Sequence, residues 1–236
     1  MAEKNMIILL VKPGEKPELA VVDGSLESMQ KLVGGSIEMC MPYEDEVALI
    51  CNDEGKIMGL PLNRSVYDED GQRIDIMAGT FFVCYAPFES EEFLSLPEDL
   101  VFKYANLFDK PETFAFINGK VFSEPVPYTN DSKFLNVSFK TNENEDVFFT
   151  NFYSSNNDSH EKEFLGTLVI KKGTEEAMNI TETVKKQAAV LAYKAAEKKK
   201  EDLDKNKSVD KIIDKAIEKS GENTASNDNI EKEMGN

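Results

Sequence analysis

Two arginines, one histidine and three cysteines are the rarest reactive side chains in this 236-residue chain. Arg64 and Arg73 both lie in "GKIMGLPLNRSVYDEDGQRIDIMAGTF", residues 55–81, while the remaining basic charge comes from lysine. A guanidinium is a rigid planar fork of N–H donors suited to carboxylates and phosphates, whereas an ammonium is a compact point charge. Within "GLPLNR", Pro61 restricts the backbone, Gly59 permits close approach, and Asn63–Arg64 offers an amide beside a guanidinium. Asn63 and Arg64 are therefore candidate ligand contacts, with Asn52 and Arg73 as further candidates. The competing reading is structural: Arg64 pairs with an acid such as Asp68 or Asp75 and holds its segment in place.

Other chemistries fail on residue type or spacing. Nucleophilic catalysis by a Ser/His or Cys/His pair needs a placed imidazole, and His160 sits in the polar run "SSNNDSHEKE" beside acids. Cys40, Cys51 and Cys84 fall in separate apolar runs, which predicts reduced, buried thiols and neither a disulfide frame nor a zinc site. "DEDGQRID" looks like a calcium loop until Gly71 is set at its sixth position. Val66 and Met77 then occupy the first and last ligand places, so the segment is an acidic hairpin turn at Asp70–Gly71. "LVGGS" lacks the Lys-Ser/Thr of a phosphate loop, and its glycines end a helix. The runs Glu44–Glu46, Asp68–Asp70 and Glu91–Glu92 fall in turns, where solvated carboxylates do not separate into acid and base. The expectation is a protein without enzymatic activity, metal or cofactor.

A formal charge of -17 and a pI near 4.6 argue against a general nucleic-acid backbone binder, whose affinity comes from basic groups neutralising phosphates. The apolar run in "MAEKNMIILLVK" is too short for a signal peptide and reads as a strand. No run approaches the roughly 18 apolar residues of a membrane span. A cytoplasmic protein is expected.

The elements that must position these residues give an α+β chain: a small N-terminal mixed sheet with two helices, then a Phe-rich β segment, then a helical and disordered acidic tail. Expected domains are 1–110, 111–180 and 181–236. "MIILLVK", "LAVVD", "SIEMCM", "EVALICN" and "AGTFFVCYA" read as strands. "SLESMQKLVGG" is a helix capped by Ser25 and Gly34. "LPEDLVFKYANLF" is a second helix, with Leu100, Val101, Tyr104, Leu107 and Phe108 on its apolar side. Asn52–Gly55 reads as a tight hairpin turn. Residues 113–173 hold five short strands separated by polar clusters. Beyond 181, Val184, Ala188, Leu191 and Ala195 form a narrow helical seam for the β segment or for a second chain, so self-association through 181–203 is one reading. Ser208–Gly221 reads as a second short helix and the remainder as disordered.

"KLVGGSIE", "LICNDEGKIMGLPLNRSVYDEDG" and "DIMAGTFFV" together resemble the DUF3846 family over residues 6–108. The resemblance implies the same α+β fold, carriage by bacteriophages and Firmicutes mobile elements, and no catalytic mechanism. Its recurring positions are Gly34, Gly35, Asn52, Gly55, Gly59, Pro61, Asn63, Arg64, Gly79 and Thr80. Together with the residue reading, the expectation is a non-enzymatic accessory protein that binds a host protein or small ligand through the 59–75 loop, with a counter-defence role suggested by the family's carriers. The alternative lies outside that match. "GKVFSEPVPYTNDSKFLNVSFKT" and "DVFFTNFY" resemble the opening strands of a single-stranded-DNA-binding OB domain, with Phe139, Phe148, Phe149 and Tyr153 as base-stacking candidates.

Overall fold

The computed structural model describes residues 5–126, 133–154 and 162–233. Its centre is a five-stranded sheet formed by β1 (Asn5–Val11), β2 (Glu18–Asp23), β3 (Ile37–Cys40), β4 (Val47–Asn52) and β7 (Phe81–Tyr85). The order is β2-β1-β7-β4-β3 and every pairing is antiparallel, so the sheet is not mixed as expected. β1, β4 and β7 are buried on both faces, which is why they are continuous apolar runs without polar alternation.

One face of this sheet is covered by helix α1 (Leu26–Val33) through Met29 and Val33. Ser25 Oγ accepts the Ser28 N–H at the helix start, and Gly34 ends the helix at φ 79°, a left-handed conformation that disfavours a Cβ. The other face meets helix α2 (Glu98–Leu107) through Val101, Tyr104 and Ala105, with Phe108 beyond its end. Leu107 is exposed; Ala105 takes its place on the apolar side.

The five Phe-rich segments are strands, but they do not form one sheet. β8 (Glu112–Ile117) and β9 (Lys120–Pro125) make a separate hairpin. β10 (Lys133–Phe134), β11 (Val137–Glu143), β12 (Val147–Ser154) and β13 (Phe164–Lys171) form a four-stranded sheet in sequence order. Its Val137, Phe152 and Ile170 share a hydrophobic core with Ile7, Leu9 and Val83 of the first sheet.

After the short helix α3 (Glu175–Met178), α4 runs from Ile180 to Glu233 without a break. The expected stop at Gly221 and disordered end are not found. The segment has no proline, and one glycine costs a helix only about 1 kcal/mol. The expected seam is occupied by this chain's own core: Val184, Ala188, Ala189, Ala192 and Ala196 pack there, while Ala195 is exposed. Alanines let α4 lie close, and polar contacts fix its direction. Asn5 Nδ2 donates to Asp204 Oδ1 at 2.7 Å, and Lys207 Nζ lies 2.6 Å from Asp23 Oδ2. No helix among the described residues is long and apolar enough to cross a membrane.

Asp23, Asp45 and Glu46 are among the carboxylates held below the usual range by their donors. The Lys207 ammonium lowers Asp23, Lys103 and Tyr104 lower Asp45, and the Tyr85 hydroxyl and Phe88 N–H lower Glu46. A carboxylate depressed in the folded state stabilises the fold above its unfolded pKa, and that contribution disappears as pH falls through the folded value. The urea midpoint should therefore drop as pH is lowered from about 5 to about 3, and Asp23→Asn should show a shallower drop than the parent. An equal slope in the two proteins contradicts the Asp23–Lys207 assignment.

Candidate functional site

The stretch containing both arginines is a two-stranded hairpin, where the sequence suggested a loop. β5 (Leu62–Tyr67) pairs with β6 (Arg73–Ala78) around the expected turn, in which Gly71 N–H donates to Asp68 O. Val66 and Met77 enter the core and anchor the hairpin over the first sheet. Asn52–Gly55 is a turn but not a hairpin, because β4 pairs with β3 and β7 and β5 pairs with β6.

Register slips between Leu62 and Arg64, so Asn63 is the extra residue of a β-bulge. A bulge re-aims side chains, and Asn63 and Arg64 are both 1% exposed. Asn63 Nδ2 donates to Val11 O at 3.0 Å and Gly79 O at 2.7 Å. Its Oδ1 accepts from Arg64 Nη1 at 2.8 Å. Arg64 Nε donates to Phe108 O at 3.0 Å and Nη2 to Glu15 O at 2.6 Å. Phe108 lies at the C-terminus of α2, where the partial negative charge of the last carbonyls favours a cation. Neither Asp68 nor Asp75 is the partner foreseen for Arg64: Asp68 accepts the Gln72 N–H and Asp75 pairs with Lys56. The pair Asn63–Arg64 therefore fastens backbone segments, and burial leaves neither side chain open to a ligand.

Asn52 is also internal. Its Nδ2 donates to Gly34 O at 3.0 Å, and its Oδ1 accepts the Glu54 N–H at 2.9 Å. The end of α1 is thus tied to the turn after β4. Gly35 makes the contact possible, since a Cβ there would lie 2.5 Å from Asn52 Nδ2.

Arg73 is the candidate that reaches a surface. Its Nη2 donates to Val121 O at 2.5 Å and its Nη1 to Ser123 Oγ at 3.2 Å, joining β6 to β9. On the same contact, Ser65 N–H and hydroxyl donate to Glu112 at 2.7 and 2.6 Å. Between the hairpins lies a groove of about 580 Å³ lined by Leu60, Leu62, Ile74, Ile76, Phe116 and Val121, with Lys56, Arg73 and Asp75 as its charged groups. Ile74 is 50% exposed and Phe116 70% exposed. Sequence reasoning missed Ile74, Phe116 and Val121. No local pattern marks them as a group, because the approach of 112–125 to 62–78 is a long-range contact.

The four aromatic candidates do not share one platform. Phe139 and Phe148 pack against the main core, with the Phe139 ring tilted against buried Phe152 at 5.9 Å between centroids. Tyr153 meets Phe164 edge-on at 5.7 Å, and Phe149 is paired with Val169. Alternation along β12 puts Phe149 and Tyr153 on the face opposite Phe148 and Phe152.

Cys40, Cys51 and Cys84 are free, and burial pushes their thiols up to about 12, 11 and 12, which suppresses the nucleophilic thiolate. His160 lies outside the described residues. Among the described residues no three His, Cys, Asp or Glu side chains come together as a metal site.

Arg64→Ala should lower the unfolding free energy by about 1–3 kcal/mol for each carbonyl left buried and unpaired, and Arg64→Lys should be nearly as damaging, because one ammonium cannot span the separate carbonyls. Arg73→Ala should cost no more than about 1 kcal/mol. Urea denaturation checks the order; a mild Arg64→Lys contradicts it. Gly35→Ala should cost about 1–3 kcal/mol through overpacking. The cost should shrink in an Asn52→Ala background, and strict additivity in that cycle contradicts the close approach.

A search of the curated proteins and a search of the solved structures each gave no match. Residues 6–109 match the model of a family described as a domain of unknown function, DUF3846. The match ends at Asp109, so it contains Asn52, Asn63, Arg64 and Arg73 but not Phe116, Val121 or Ser123 on the far wall of the groove. Over residues 6–109 the chain is therefore similar to the DUF3846 domain.

Proposed function

We propose that the chain is a non-enzymatic binding module that takes a small ligand or a segment of a host protein in the groove between the β5–β6 and β8–β9 hairpins. The observation that carries this is the groove itself: apolar side chains left half or more exposed in a concavity of about 580 Å³. That volume falls in the range of ligand pockets, roughly 300–1,000 Å³. Ile57 and Met58, in the turn that precedes the groove residues Gly59 and Leu60, are exposed as well. With the phage or mobile-element setting that the family resemblance implies, such a module would serve as an accessory protein in the host cytoplasm, with counter-defence as one use. The ligand-binding part of the 59–75 segment is then Arg73 and Ile74, while Asn63 and Arg64 support it from beneath.

The test is titration of the full chain with the neutral fluorophore N-phenylnaphthylamine. One saturable site should appear, and Ile74→Asp and Phe116→Asp should each weaken it at least about tenfold. Unchanged binding in both variants contradicts the groove. A labelled oligothymidine at low salt serves the nucleic-acid alternative, and tight binding there would favour the outer face of β12 instead.

A further inference from the structure

We infer that the groove selects an amphipathic monoanion: an apolar body carrying one carboxylate-like or sulfonate-like charge, seated on the Arg73 guanidinium. This rests on the proposed groove and names its ligand class. Of the three charged groups lining it, Lys56 and Asp75 form an ion pair with each other. Arg73 is left as the unbalanced charge: among the described residues its partners are the neutral Val121 carbonyl and Ser123 hydroxyl. The nearby carboxylate, Glu112, is turned to Ser65, accepting both its N–H and its hydroxyl; Ser65 Oγ lies 3.4 Å from Ser123 Oγ.

Those two neutral contacts do for Arg73 what a ligand site requires. They lock the guanidinium plane at the groove wall and leave it positively charged, with donors beyond the two engaged on β9. An oxyanion can meet such a fork with two parallel hydrogen bonds. The apolar lining from Leu62, Ile76 and Phe116 offers a surface for an apolar body, and a body seated there would exclude water and strengthen the charged contact. The net charge of -17 limits the ligand from the other side. The field of the whole protein repels each additional negative charge, so one anionic group held by Arg73 is accepted and a polyanion is disfavoured.

Two fluorophores with the same aromatic body separate the parts of this claim: anilinonaphthalene sulfonate, an anion, and neutral N-phenylnaphthylamine. Titrated into the full chain, the sulfonate should bind about tenfold more tightly than the amine. Arg73→Gln should bring sulfonate binding down to the level of amine binding in the same variant, and Arg73→Lys should restore part of the preference. Decanoate should displace the sulfonate at lower concentration than decanol does. Equal affinities for the two fluorophores, or a sulfonate preference that survives Arg73→Gln with the urea midpoint intact, overturn the inference while amine binding lost in Ile74→Asp keeps the groove. Amine binding indifferent to Ile74→Asp removes the groove and the inference together.

Discussion

The Arg64 guanidinium lies where the β1–β2 turn, the end of α2 and the bulged start of β5 meet, and it bonds to a carbonyl from each. A charge so fully removed from water is costly, and here charge-assisted hydrogen bonds offset that cost. The bonds are geometric as well as energetic. A planar fork can satisfy those carbonyls only if the segments keep their spacing, so the guanidinium sets the distance between helix, turn and hairpin. Asn63 extends the arrangement by joining the end of β1 to the turn before β7.

This constraint places the other arginine. Once β5 is pinned at its start and Val66 and Met77 are in the core, β6 must carry Arg73 toward the opposite end of the hairpin. There it meets the carbonyl of Val121 and the hydroxyl of Ser123, and the gap between the two hairpins becomes the groove. The two arginines thus divide the work: one is buried among backbone carbonyls and holds the frame, and the other stands at a rim with apolar residues below it. The family match covers the frame and the β6 wall but stops before β8 and β9. The groove is therefore completed by residues outside the matched segment.

Much of the frame was legible because local physics decides it. The buried strands β1, β4 and β7 are unbroken apolar runs, Ser25 and Gly34 bracket α1, and Asp70–Gly71 turns the hairpin. "LNRSVY" was not legible as a strand, since Pro61, Asn63 and Arg64 have loop character and only the bulge lets the last two turn inward. The rarity of arginine drew attention to this hairpin but did not foretell that Asn63 and Arg64 are buried within it. Rarity marks a need for the fork geometry, and backbone carbonyls use that fork as well as any ligand does. The far wall of the groove, with Phe116 and Val121, depends on a contact between hairpins distant in sequence, for which no local pattern exists. The same limit hid the continuity of α4, whose near half is held by Asn5, Asp23 and the core rather than by its own propensity.

Because the chain has two arginines, their side-chain Nε–H groups give two resonances in a nitrogen–proton NMR spectrum. Following both signals through solvent exchange and addition of anilinonaphthalene sulfonate tests the division of roles in one sample. The Arg64 signal should exchange slowly with water and hold its position when the anion is added. The Arg73 signal should exchange faster and shift as the groove fills. If the Arg64 signal exchanges as freely as in an unfolded chain, or is the one that shifts, its assignment to the frame is contradicted.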